Sequence, residues 1–446
     1  MVHRRDFLAR TVGALALAPA CALAPAPALA APRQAVPSHG VRLDAQLARR
    51  GPSASPARLA DDEAFWAEVR LAFDLDPDVV NLDHGWTNPA PRAAVDALVQ
   101  GAHRLEALPA ERLLSFWEET TTTAVRQALA EAMGVPGDEV ALVRNATEAL
   151  DTVLLGLPLR AGDEVVCSAH DYYAMLDALE QRRARDGVVL RVVRPPVPAP
   201  SLDALAGLYE EAIGPKTRLV LLTHPSNLTG QMLPVRRIAE AAHRVGAEVV
   251  VDGAQSLGLS EGPVASLGCD YYGASAHKWL GAPVGMGVLW MRPEHAAKVW
   301  PLVPSPSWTT GMARFEWIGT GPEYVGPSVL PALALHRTLG ADRKAARLRY
   351  LTTYWRTRVA AAIPGALFYT ADDEAMSCGL CTVELPGRDP EAVQQHLRTH
   401  GGLLVQAMGR SERAPEIRGV RVSPNVYTTP AELDRLVAAL VAASSR

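Results

Sequence analysis

The chain of 446 residues is about three times the ~150 residues of a typical domain, so it can bury a large core and divide into more than one domain. Its 44 Lys+Arg against 48 Asp+Glu leave a net charge of −4, without the basic excess that marks a nucleic-acid binder. Five cysteines in this length exclude a disulfide-stapled scaffold, and 48% hydrophobic residues are ordinary for a globular protein.

A cationic start with Arg4 and Arg5, an apolar run and the small-residue site Ala28-Leu29-Ala30 predict a secretory signal over residues 1–31. Arg4-Arg5-Asp6-Phe7-Leu8 resembles the twin-arginine export signal, which implies the twin-arginine export machinery and a periplasmic or extracellular destination. Pro19, Pro25 and Pro27 interrupt the apolar run before it reaches the ~20 residues of a membrane-spanning helix, so no stable membrane insertion is expected. Residues 32–60, rich in Ala, Arg, Pro and Ser without a sustained period, read as a loose arm, with order expected from about Asp61.

From there, strand-like apolar runs alternate with helical stretches, the pattern of βα units around a mostly parallel sheet. The strands predicted are Val140 to Arg144, Glu164 to Ser168, Val188 to Val193, Arg218 to Thr223, Glu248 to Asp252 and Gly287 to Met291. Helices are predicted between them at Thr147 to Leu155, Tyr173 to Arg185 and Pro234 to Val245. After Leu330 come a long helical stretch to about Ala362, a strand over Cys378 to Glu384, a helix over Asp389 to His400, a strand over Gly401 to Gln406 and a last helix over Pro430 to Ala443. The expectation is a large α/β domain over residues 61–330 and a smaller C-terminal α+β domain over 331–446.

Val249-Val250-Val251-Asp252 is an apolar strand ending in a carboxylate, and ligands of open α/β sheets sit beyond the carboxyl ends of strands. For a lone Asp at a strand-to-helix junction, a helix N-cap is the commoner role. Twenty-six residues later, Ser275-Ala276-His277-Lys278-Trp279 places a lysine in a short polar island before the glycine-rich 281–287 segment. A lysine that shifts its pKa when buried is the usual former of a Schiff base.

Asp252-Gly-Ala-Gln255 followed by Ser275-Ala-His277-Lys278 resembles the cofactor site of the class V aminotransferase family of pyridoxal phosphate enzymes, the group of cysteine desulfurases and isopenicillin N epimerase. The resemblance runs from about Asn81 to the C-terminus. It implies fold-type I architecture, with a large domain built on a seven-stranded-type, mostly parallel sheet, and pyridoxal 5'-phosphate as cofactor. Lys278 is then the Schiff-base lysine, Asp252 the partner of the pyridine nitrogen and Gln255 the partner of the phenolic oxygen. Ala146 and Thr147 at a helix start, with Ser275 and His277, are the implied phosphate contacts; free N–H groups at such a helix start suit an anion. Tyr172 falls where the family stacks a ring on the cofactor, with His170 and Tyr173 as alternatives of register. Asn227 matches an asparagine near cofactor and substrate, and Arg421 the arginine that clamps a substrate carboxylate, a task for a planar two-pronged donor. Thr320 matches a residue that reaches the phosphate of a neighbouring subunit, which implies a homodimer with shared sites. His84, in Asn81-Leu82-Asp83-His84-Gly85, falls in the family's entrance loop and is a candidate substrate contact.

The resemblance implies an amino acid as substrate and chemistry at its α carbon, by transamination or isopenicillin N epimerase-like epimerisation. A carbon–sulfur or β-elimination lyase is the alternative, and a secreted cofactor-binding protein without catalysis is the rival from another class. Desulfurases need a thiolate on a loop of the C-terminal domain, and residues 401–421 contain no cysteine. No metal site is expected: Cys378-Gly-Leu-Cys381 is half of a four-thiolate zinc site and reads better as two structural thiols or a disulfide. Trp86, Trp308 and Trp317 lie close to these segments and are candidates for an apolar substrate wall or for core packing.

Overall fold

The computed structural model describes residues 39–50, 55–109, 123–259, 262–306, 309–409 and 411–445. The signal over 1–31 and Trp308 lie outside the described residues. Part of the segment read as a loose arm is helical instead: His39–Arg50 forms a helix. Leu43 and Leu47, four residues apart, give it an apolar stripe that packs with Phe65, Trp66 and Trp279. That short i, i+4 signal was masked by the Ala, Arg and Pro around it.

In chain order the strands are β1 (Val80–Asn81), β2 (Val140–Val143), β3 (Glu164–Ser168), β4 (Val189–Val193), β5 (Thr217–Thr223), β6 (Glu248–Asp252), β7 (Tyr271–Ser275) and β8 (Gly287–Met291). They are followed by β9 (Leu367–Phe368), β10 (Cys381–Glu384), β11 (Leu403–Leu404), β12 (Gln406–Met408) and β13 (Gly419–Val422). Strands β2 to β8 form one seven-stranded sheet in the order β2-β8-β7-β6-β5-β3-β4. Its pairs are parallel except those of β8, which runs antiparallel to both β2 and β7.

Period-two alternation explains why these strands read as continuous apolar runs. Val249 and Val251 of β6, with Val220 and Leu222 of β5, belong to one core cluster. Val250, Leu219 and Leu221 belong to another on the opposite face. Both faces are covered, as parallel sheets require. Strand β7 has no such run because Gly273 interrupts it, and the glycine has a packing reason. A Cβ there would lie 2.8 Å from Leu150 Cγ and 2.9 Å from Ala149 Cβ, so the helix Ala146–Gly156 approaches the strand closely only over a bare backbone.

Strands β12, β13, β10 and β9 form a four-stranded antiparallel sheet beside helices Ala341–Ala362, Pro390–Gly401 and Pro430–Ser444. The long helical stretch after Leu330 is two helices, Val325–Leu339 and Ala341–Ala362, separated at Gly340. The stretch over Gly401 to Gln406 divides into β11 and the start of β12. Strand β1 pairs with β11, and Val80 and Leu82 are buried in the core of this C-terminal layer with Trp355, Leu397 and Leu433.

Candidate active site

Strands β5, β6 and β7 deliver Thr223, Asp252 and Ser275 to one edge of the sheet, where they line a cavity of about 290 Å³ together with Thr147, Lys278 and Arg421. This is the crevice beyond the carboxyl ends of the parallel strands. Ala146, Tyr172, Asn227, Gln255 and His277 line the same cavity. The residues proposed from separated sequence segments therefore converge in space.

At one end the helix Ala146–Gly156 points its N-terminus inward. Asn145 caps it, its Oδ1 accepting from Glu148 N at 3.0 Å, and Ser275 Oγ accepts from Ala146 N at 2.9 Å. The Ser275 hydroxyl proton remains available, and His277 Nδ1 is buried without a hydrogen-bond partner among the described residues. Burial lowers His277 to about 4, so its ring is neutral at physiological pH. Replacing Asn145 with alanine should cost about 1 kcal/mol of stability by removing the cap. It should also weaken the hold on an anion at that helix end; a denaturant midpoint and a cofactor titration read the two effects.

Asp252 is buried, its Oδ1 accepting from Ala254 N at 3.0 Å. Burial raises its pKa, and the Ala254 N–H and the Lys278 ammonium act in the opposite direction. Lys278 follows β7, and its carbonyl accepts from Asn88 Nδ2 at 2.5 Å. Burial lowers the Lys278 amine to about 8; Asp252 and Asp83 raise it and Arg421 lowers it. The result is an amine that exchanges protons close to neutrality.

Gln255 is oriented on both sides. Its Oε1 accepts from Trp279 Nε1 at 2.7 Å, and its Nε2 donates to Gly85 O at 2.8 Å, which leaves one N–H for a ligand. Trp279 is buried and adjoins Lys278 in sequence, so its place in the core orients Gln255.

Tyr172 and Tyr173 both line the cavity, with ring centroids 4.5 Å apart and the Tyr172 hydroxyl donating to the Tyr173 hydroxyl at 3.2 Å. Burial and the neighbouring phenol raise the Tyr172 pKa. His170, an alternative for the stacking position, faces away: its Nε2 lies 2.7 Å from Glu416 Oε1.

Arg421 sits on β13, 3% exposed, with Nη1 donating to Asn227 O at 2.8 Å and Nη2 to Asp83 Oδ1 at 2.6 Å. Its Nε has no hydrogen-bond partner among the described residues, and neither has Asn227 Oδ1.

Two proposed residues are not brought to this cavity. The His84 ring is buried edge-on to Tyr427 at 5.5 Å, outside the residues that line the cavity, and burial lowers it to about 3, so the ring is neutral. Thr320 is exposed, and residues 316–319 and 321 line a separate cleft beside Arg144 and Glu148 that also holds Trp317. Trp86, 65% exposed, stands on the cavity wall. Asp83, Gly85, Thr223, Trp279 and Gln406 belong to the site or its support and were not singled out beforehand. Asp83 and Gly85 lay inside the quoted entrance loop, whereas Gln406 had no motif around it.

Chemically, the cavity offers a buried carboxylate, an amine, an amide N–H and a helix N-terminus with hydroxyl and imidazole beside it. Those groups match, in kind, the pyridine nitrogen, aldehyde, phenolic oxygen and phosphate of pyridoxal phosphate. The buried unpartnered His277 Nδ1 and Asn227 Oδ1 mark a place for a polar ligand. Fold and site together define a fold-type I pyridoxal phosphate enzyme. Residues 80–436 match the aminotransferase class V family, and the chain belongs to it. It is 31% identical to isopenicillin N epimerase of Streptomyces clavuligerus over 401 residues, covering 84% of this chain and 98% of that one. It is 32% identical to isopenicillin N epimerase of Amycolatopsis lactamdurans over 397 residues, with the same coverage of 84% and 98%. Among solved structures, a C-DES mutant with glycine covalently linked to its cofactor superposes with a TM-score of 0.72 at 23% identity, covering 82% of this chain and 97% of that one.

Proposed function

We propose that the protein moves the α proton of a free amino acid, as an epimerase or aminotransferase, with Lys278 as the proton carrier. The observation that carries this reading is the position of Lys278, whose lowered amine faces a cavity shared with Asp252 and the Arg421 guanidinium. Pyridoxal phosphate, when bound, supplies the electron sink that weakens the bonds at the α carbon. Asp252, buried at the end of β6, would pair with the pyridine nitrogen and hold its proton, and Gln255, Thr147, Ser275 and His277 would fix the ring and the phosphate. Arg421 would orient the α-carboxylate and so choose which bond at the α carbon is broken.

Epimerisation needs a second proton source besides Lys278. The Tyr172–Tyr173 hydroxyl pair supplies one, since a phenol with a raised pKa stays protonated and donates. Likeness over nearly the whole length of two epimerases favours the same reading. A desulfurase that works through a persulfide is disfavoured, because Cys167, Cys269, Cys378 and Cys381 are all buried and none lines the cavity. Burial raises Cys269 and Cys378 to about 12, the opposite of an activated thiol.

The test is incubation with L- and D-amino acids in deuterated water, with and without a keto-acid acceptor. Inverted configuration with deuterium at the α carbon identifies epimerisation, and a new amino acid that depends on the acceptor identifies transamination. Absence of α-deuterium in every substrate would refute both.

Thr320, exposed and away from its own chain's cavity, suits a role at a neighbouring subunit's phosphate in a homodimer. Arg4 and Arg5 suit export through the twin-arginine route. Replacing both with lysine should retain the protein in the cytoplasm, as cell fractionation would read.

A further inference from the structure

The guanidinium meant for a substrate carboxylate already carries a carboxylate of the protein. Asp83 Oδ1 accepts from Arg421 Nη2 at 2.6 Å. This is not a loose surface pair: the Arg421 side chain is 3% exposed and that of Asp83 19%. Backbone contacts deliver Asp83 there. Ser423 N donates to Leu82 O at 2.7 Å and His84 N to Ser423 O at 3.2 Å, so residues 82–84 are zipped along the end of β13. Gly85 N donates to Ser423 Oγ at 2.9 Å, and Asn81 Oδ1 accepts from Asp83 N at 2.9 Å. A Cβ on Gly85 would come 3.1 Å from Arg421 Cζ, so the loop lies flat against the guanidinium.

Arg421 therefore enters the reaction already paired with a carboxylate of the protein and with part of its donor set used. Nε–H and the second hydrogens on Nη1 and Nη2 remain for a ligand. A substrate carboxylate on those donors brings two anions to one cation in a partly dry site, where like charges repel strongly.

We propose that Asp83 determines substrate specificity in this site: it opposes carboxylate binding at Arg421, so the site takes amino acids with a single carboxylate and rejects those with a second anionic group near it. Asp83 contributes nothing to attraction. Its effect is to set a threshold that one α-carboxylate, helped by covalent attachment of the amine, passes and a dianion does not. This inference rests on the reading of Arg421 as the carboxylate clamp.

Isothermal titration of the holoenzyme with propanoate, which has a carboxylate and no amine, and with succinate, a dianion, tests it. Asp83→Asn keeps the size and shape of the side chain and removes its charge. The variant should bind propanoate about tenfold more tightly than the wild type, and succinate with a still larger gain. An Asp83 that merely positions Arg421 predicts the opposite sign. Unchanged or weaker propanoate binding in Asp83→Asn, with binding still lost in Arg421→Lys, would overturn the role of Asp83 and leave the clamp intact. Propanoate binding indifferent to Arg421→Lys would overturn the clamp and this inference with it.

Discussion

Lys278→Ala is expected to abolish the visible absorbance of the lysine-linked cofactor and to lower kcat by about 10³-fold or more. The amine serves twice, as the covalent attachment and as the proton carrier at the α carbon, and proton transfer by a placed side chain alone contributes about 10²–10⁴-fold. The variant should still fold, because burial already disfavours the charged form of the Lys278 amine and its removal relieves that cost. The pH dependence of stability in the cofactor-free protein checks the same assignment. Burial lowers Lys278 to about 8 from 10.5, so the unfolded chain holds a proton that the folded one has released within that window. More protons on the unfolded state means that stability rises with pH between about 8 and 10.5. Lys278→Ala should flatten that rise. Part of it should survive, because burial also lowers Lys344 to about 7.

Arg421→Lys is expected to lower kcat/KM for amino acids by about 10²-fold while leaving reaction with amines that lack a carboxylate nearly unchanged. A guanidinium meets a carboxylate with two parallel N–H donors; an ammonium is a single point charge that cannot reproduce the fork. Lysine keeps a cation beside Asp83, which matters because removing one partner of a buried pair strands the other charge at a cost of about 3–5 kcal/mol. Arg421→Ala would confuse lost binding with lost folding. Equal losses for amines and amino acids would mean that Arg421 acts on the fold and not on the carboxylate.

Strands β3, β5, β6 and β8 were legible as apolar runs because both faces of the sheet are covered. The cofactor end of the site was legible for a different reason: Asp252, Gln255, Ser275, His277 and Lys278 lie within 27 residues of each other, on two adjacent strands and their following turns. The substrate end was harder to read. Arg421 was identified, but its strand β13 was not predicted, and nothing in Gly419-Val-Arg-Val422 announces that Asp83, 338 residues away, lies against the guanidinium. That contact depends on how residues 82–85 zip along β13, a tertiary pairing without local periodicity. His84 shows the converse: it sits in the right loop, but its ring packs edge-on to Tyr427. Strand β7 escaped notice because Gly273, which lets the helix Ala146–Gly156 approach, also broke its apolar run.

The covalent centre can be tested with one measurement, borohydride reduction of the purified protein followed by peptide mapping. Reduction fixes the cofactor to the lysine that holds it. The pyridoxyl group should be found on the peptide containing Lys278 and nowhere else. Its appearance on Lys344, a buried lysine whose pKa is also strongly lowered, or on no lysine at all, would contradict the assignment of this cavity.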